Sequence, residues 1–145
     1  MTTDSALDLV PTDEPTDAEV AVVADSLDES NLGVTGIQDR QPLAVLVKDQ
    51  STGQTVGGLT GRTSLGLWFV DLLYPPDSLR GSGLGSRILQ QAEAEARRRA
   101  CVSGFVYTIS VQAPDFYKRH GWSEFGRIPS DPAGVSRIFL SKSLD

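Results

Sequence analysis

The sequence predicts a mixed α/β (α+β) fold, a mostly antiparallel central sheet flanked by few helices. Three observations carry that expectation. Apolar runs bounded by glycine and proline recur between residues 43 and 140 and read as strands. One strongly amphipathic helix interrupts them after residue 84. Short turns join an early strand pair and a late one, and a short turn requires antiparallel neighbours. With 145 residues the chain has the size of one domain, read here as a single domain over 1–145 whose first four residues fray.

The elements follow in chain order. Residues 6–10 alternate through Ala6, Leu7, Leu9 and Val10, a pattern read as an edge strand. Asp17 suits an N-cap; Ala18, Val22, Val23 and Leu27 then recur at helical spacing, with Glu19 in the first turn where the helix dipole favours it. Residues 31–42 carry Gly33, Gly36 and Pro42 without periodicity and read as a loop that lines or covers a substrate site. Residues 43–47 and 55–63 form a hairpin around turn residues 49–53, and Gly57, Gly58 and Gly61 signal a bulge or close backbone approach. Residues 65–74, with Trp68, Phe69 and Val70, read as a central strand buried on both faces and ended by Pro75 and Pro76. From Leu84, the positions Ile88, Leu89, Ala92 and Ala96 share one helical face, supported by the pairs Glu93 with Arg97 and Glu95 with Arg99. Residues 102–111 alternate as a strand, 114–119 make a short helix stopped by Gly121, and 122–128 with 135–140 make a terminal strand pair.

Composition narrows the function classes. Hydrophobic residues are 39% and charged residues 22%, near the average for soluble domains. The longest apolar run falls short of the ~20 residues that cross a bilayer, and M-T-T-D begins no signal peptide, so a cytoplasmic location is expected. Thirteen Lys+Arg against 19 Asp+Glu give a net charge of -6, which opposes binding to nucleic acid or a membrane surface and mildly favours cationic partners. Cys101 is the sole cysteine, so no internal disulfide forms and no metal cofactor is expected; it reads as a plain thiol.

Residues 80–86 read R-G-S-G-L-G-S between a strand and the strongest helix. Gly81, Gly83 and Gly85 let backbone come close to an anion, the amides of Ser82, Leu84 and Ser86 lie at the positive end of a helix dipole, and Arg80 adds a forked cation. A tight turn using glycine for geometry alone is the alternative reading of this string. A Walker turn would need Gly-Lys-Ser/Thr, which is absent, and a dinucleotide fingerprint would need Gly or Ala at Ser86 and an acid ending the next strand, which residues 105–110 lack.

The arrangement Arg80-x-x-Gly83-x-Gly85 after a central strand resembles the acetyl-CoA motif of the GNAT superfamily of N-acetyltransferases. A second segment, A-P-D-F-Y-K-R-H-G-W, is similar to that family's A-x-x-F/L-Y-x-x-x-G-F through Ala113, Phe116, Tyr117, Gly121 and Trp122. The resemblance implies a GNAT-like fold in which backbone of Leu72, Leu73 and Tyr74 pairs with the pantetheine arm, residues 80–86 hold the pyrophosphate, and Phe116 borders the coenzyme. It implies that Ser110 stands where the family often has an asparagine on pantetheine, so that this contact is either altered or supplied by Gln112. It places Tyr117 near the thioester sulfur as general acid, a role its phenol suits because it stays protonated at neutral pH.

Asp71 is the one carboxylate in the apolar run, where burial would raise its pKa toward that of a general base. A buried structural aspartate is the alternative, since related enzymes carry a glutamate earlier on this strand, near Gly66 and Leu67. His120 ends a short helix and reads as a solvated capping residue. The expected activity is acetyl transfer from acetyl-CoA to a primary amine, on a small molecule or peptide, by direct attack. A non-catalytic acyl-CoA sensor is the rival reading. The apolar C-terminal strands raise the expectation of a homodimer.

Overall fold

The computed structural model describes residues 6–79, 81–110 and 114–145. These form two compact units, one ending at Gln38 and the other beginning at Asp39. Arg80 and Gln112, both expected to contact the coenzyme, lie outside the described residues, as do Ala113, Val111 and the N-terminal residues expected to fray.

In the first unit, helix α1 spans Asp17–Thr35. Its start is closed by a capping box: the Thr16 hydroxyl oxygen accepts from the Glu19 amide at 3.1 Å, and the Glu19 carboxylate accepts from the Thr16 amide at 2.9 Å. The N-cap is thus Thr16 rather than Asp17. The expected loop over 31–42 is corrected at both ends. Helix continues to Thr35, because the left-handed Gly36 (φ 75°), not Gly33, supplies the C-cap, and a strand starts at Gln41. The expected edge strand over 6–10 is absent: Leu9 and Val10 are 94% and 76% exposed, so the alternation has no apolar face to bury.

The second unit is a six-stranded sheet in the order β1-β2-β3-β4-β6-β5. Strands β1 (Gln41–Lys48), β2 (Thr55–Ser64) and β3 (Leu67–Tyr74) are antiparallel neighbours. Strand β3 begins two residues later than the sequence suggested. Leu65 (φ 51°) and Gly66 (φ 79°) form the two-residue turn of a β2–β3 hairpin, which an apolar leucine had concealed. Helix α2 (Leu84–Arg98) then crosses back, and β4 (Ser103–Ile109) pairs parallel with β3. After the short helix α3 (Pro114–Arg119), β5 (Ser123–Pro129) and β6 (Ser136–Ser143) complete the sheet, with β6 inserted next to β4.

One sheet face carries the core. Leu43, Leu59, Trp68, Val70, Val106, Ile138 and Leu140 pack there with Ile88, Leu89, Ala92 and Ala96 of α2. Those four helix positions are the face read from the sequence, and Glu93 pairs with Arg97 (3.1 Å) and Glu95 with Arg99 (2.9 Å) as the spacing required. Gly104 keeps β4 flat beneath two tryptophans: a β-carbon there would meet Trp68 at 2.9 Å and Trp122 at 3.0 Å. Cys101 is buried and its thiol pKa is raised, chiefly by burial, so it behaves as a packed apolar group. Among the described residues, no helix is long and apolar enough to cross a membrane.

Candidate active site

The site originates in an irregularity of β3. Gly61 of β2 faces Val70 and Thr60 faces Leu72, so Asp71 is an extra residue with no opposite partner. Such a bulge bends its strand and strengthens the local twist. On the other edge of β3, the parallel ladder with β4 ends at the pair Val70–Val106, although both strands continue further. The bulge also resets the side-chain alternation, so that Leu73, not Leu72, joins Trp68 and Val70 against the core.

A cavity of about 840 Å³ occupies this divergence. Residues 71–75 form one wall and residues 106–109 the other, while Gly85, Phe116, Tyr117 and Arg137 close the remaining sides. The structure therefore brings together Asp71, Leu72, Leu73, Tyr74, Gly85, Phe116 and Tyr117 from the residues expected at the site. Gly81, Ser82, Gly83, Leu84 and Ser86 lie on the turn that leads to the cavity rather than in its walls.

That turn has the features of an anion cradle. Gly81 (φ 86°) and Gly83 (φ 84°) are both left-handed, with no atom within 4 Å of where a β-carbon would be. Glycine is required here by conformation rather than by crowding. Gly83 is the N-cap of α2, no side chain among the described residues caps the helix, and its first turn holds no acid. The first intrahelical bond runs from the Arg87 amide to the Gly83 carbonyl (3.1 Å), which leaves the amides of residues 84–86 without intrahelical acceptors.

Tyr117 is 4% exposed, and burial pushes its phenol pKa up to about 12. It is held edge-on between Trp122 (5.6 Å between centroids) and Phe116 (5.3 Å). At neutral pH it is a protonated donor. Asp71 is exposed, which removes the burial on which its role as a base was argued, although its place on the cavity wall stands. Ser110 is not a wall residue. Its hydroxyl accepts from the Ser136 amide at 3.0 Å and its own amide donates to the Ser136 carbonyl at 2.8 Å, joining the end of β4 to β6.

His120 is not the solvated cap expected. It is half-buried, shares a 2.9 Å hydrogen bond with the Ser86 hydroxyl, and lies 4.9 Å from the Phe116 ring. The Lys142 ammonium donates at 2.8 Å both to the His120 carbonyl and to the Glu93 carboxylate, which ties α3, β6 and α2 together. Burial raises the Glu93 pKa, but the Lys142 and Arg97 bonds and charges outweigh it and leave the group lowered. Sequence reasoning missed Pro75, Val106, Tyr107, Thr108, Ile109 and Arg137 as site residues. The four from β4 share a visible strand pattern, and the parallel crossover from β3 through α2 is what could have placed them beside residues 72–74.

Known proteins agree with this geometry. Residues 40–124 match the family model for the acetyltransferase (GNAT) domain. The chain is 33% identical over 127 residues to acetyltransferase Atu2258 of Agrobacterium fabrum, covering 87% of this chain and 92% of the relative. It is 37% identical over 113 residues to the blasticidin-S acetyltransferase of Streptomyces morookaense, covering 76% and 83%. An acetyltransferase structure from Bacillus cereus superposes with a TM-score of 0.74 at 28% identity, covering 92% of this chain and 97% of that one. The bulged strand, the divergent β3–β4 pair and the uncapped α2 are thus set in a chain that belongs to the GNAT acetyltransferase family.

Proposed function

We propose that the chain transfers the acetyl group of acetyl-CoA to a primary amine by direct attack, with pyrophosphate at the α2 turn, the pantetheine arm in the β3–β4 divergence and Tyr117 as general acid. The observation that carries this reading is the continuity of the site: an uncapped helix start leads into a cavity between two strand edges, with a protonated phenol on its wall. The residues fit the coenzyme. Free amides at residues 84–86 suit phosphate oxygens, and the facing edges of β3 and β4 suit an amide-rich arm. When bound, the coenzyme supplies an activated thioester.

The chain's own groups supply the rest. The walls exclude water and orient the amine. Backbone N–H near Leu73 is the candidate to polarise the acyl oxygen. As the amine nitrogen bonds to the acyl carbon and the carbon–sulfur bond breaks, the Tyr117 hydroxyl gives its proton to the departing sulfur. Asp71, directly or through water, takes the proton that the new amide nitrogen sheds. The nitrogen acts directly, so no acyl-enzyme is required.

The test follows thiol release and acetyl-CoA binding together. Tyr117→Phe should lower kcat by about a hundredfold or more while leaving the calorimetric Kd of acetyl-CoA within about twofold. Unchanged kcat would remove Tyr117 from the chemistry. Absence of acetyl-CoA binding by the wild type would end both this reading and the sensor reading.

A further inference from the structure

The cavity crosses the sheet, and its two ends differ in chemistry. Val106, Leu73 and Tyr117 belong to the core face, where α2 brings its uncapped start. The opposite face is fixed by strand parity. Ile138 and Leu140 of β6 are buried against the core, so Arg137 and Phe139 between and beside them point the other way. Ring contacts agree: Phe139 lies 5.5 Å from Tyr107, which lies 6.1 Å from Phe69, all on that face.

Arg137 is well placed to hold something. Its backbone pairs with Ile109 of β4 on one side and Ile128 of β5 on the other, and the Ser110–Ser136 bonds secure the adjoining residue. Among the described residues its guanidinium has no hydrogen-bond or ion-pair partner, whereas Arg97, Arg98, Arg99 and Arg127 are each paired with a glutamate. Arg137 and Asp71 are the base and the acid among the described cavity residues. They stand on the strands that flank β4, with Asp71 just past the last β3–β4 pair and Arg137 opposite Ile109, so their backbones lie more than two strand spacings, about 10 Å, apart, a gap that the long arginine side chain narrows. One wall therefore offers an acceptor for an ammonium or amine N–H, and another offers a forked donor for a planar anion. As the one cation among the described cavity residues, a single guanidinium suits a monoanion.

We propose that Arg137 is the specificity-determining residue of the acceptor site and that the acceptor is an amine bearing a carboxylate, of the amino-acid class. This rests on the acetyl-transfer reading above and names its substrate class. In that arrangement Arg137 forks the carboxylate while the amine lies toward Asp71 and the thioester.

The experiment uses matched probes: amino acids, their primary carboxamides and the corresponding decarboxylated amines, assayed for thiol release with acetyl-CoA. Binding of acetyl-CoA, and of the N-acetyl amino acid to the CoA complex, is measured by calorimetry in parallel. The wild type should favour the carboxylate over its carboxamide by about tenfold or more in kcat/KM. Arg137→Gln should bring that ratio close to one and raise the Kd of the N-acetyl amino acid by about tenfold or more, and Arg137→Lys should fall between. The Kd of acetyl-CoA should stay within about twofold in both variants. Equal use of carboxylate and carboxamide, no turnover of any carboxylate-bearing amine, or weakened acetyl-CoA binding in Arg137→Gln would each overturn the assignment. Loss of acetyl-CoA binding by the wild type itself would instead strike the acetyl-transfer reading.

Discussion

The starts of α1 and α2 solve the same problem in opposite ways. Every helix begins with amides that lack intrahelical acceptors. At α1 the chain satisfies two of them itself, the Glu19 amide on the Thr16 hydroxyl and the Thr16 amide on the Glu19 carboxylate, and sets acids at Asp17 and Glu19 in the first turn. At α2 it supplies a left-handed glycine, no capping side chain and no first-turn acid. A helix start that is filled by its own side chains is a structural device. One that is left open beside a cavity is suited to an anion from outside, and the contrast separates the two more clearly than glycine content alone.

The sharpest way to break the contrast is to give α2 the cap that α1 has. Gly83→Asp would place a carboxylate over the free amides, in a conformation that Asp tolerates, with no atom in the way of its β-carbon. Acetyl-CoA affinity should fall by about a hundredfold or more. Gly83→Asn, with similar shape and strain but no charge, should lose about tenfold or less. Equal losses would mean that backbone strain, not charge, governs the turn.

A smaller effect is expected at the link behind the turn. His120→Ala removes the partner of Ser86 and should weaken acetyl-CoA binding by about three- to tenfold, without moving the pH dependence of kcat. Titration of coenzyme affinity and kcat against pH checks this, and unaltered affinity would remove His120 from the support of the turn.

The smallest effect lies at α1. Thr16→Ala should cost about 1 kcal/mol of local helix stability, read by amide hydrogen exchange in the first turn, and should leave acetyl-CoA affinity unchanged. Hydrogen bonds from Thr16 lower the Glu19 pKa below its model-peptide value of 4.5. The folded value is depressed, so the contribution of this carboxylate is present above about pH 4.5 and is lost as pH falls through the lower folded value. Protection factors in the first turn of α1, taken relative to the intrinsic base-catalysed exchange rate at each pH, should fall as pH drops through that acidic window, and a fall in protection on raising the pH above it would contradict the assignment.

What could be read in advance followed from periodicity and local chemistry. Ile88, Leu89, Ala92 and Ala96 announced α2 by spacing, and Gly81, Gly83 and Gly85 announced its unusual start. Phe116 and Tyr117 were recognisable within a motif, and both reached the cavity wall. The unreadable parts depend on long-range pairing. The bulge at Asp71 exists only relative to Thr60 and Gly61, and Ser86 meets His120 across 34 positions. Arg137 enters the site because β6, not β5, lies next to β4, a choice that two similar C-terminal strands do not disclose. The left-handed Leu65 hid a turn for a related reason: an apolar residue was forced into a role usually taken by glycine or asparagine.

The central claim is that the open start of α2 holds the pyrophosphate, and paired calorimetry of the wild-type protein with acetyl-CoA and with S-acetylpantetheine tests it most directly. The two share the thioester and the arm and differ in the nucleotide and its phosphates. Acetyl-CoA should bind at least about a hundredfold more tightly, as expected for several charge-assisted hydrogen bonds, and added salt should narrow the difference. Equal affinity for the two, or no binding of acetyl-CoA, would contradict the claim.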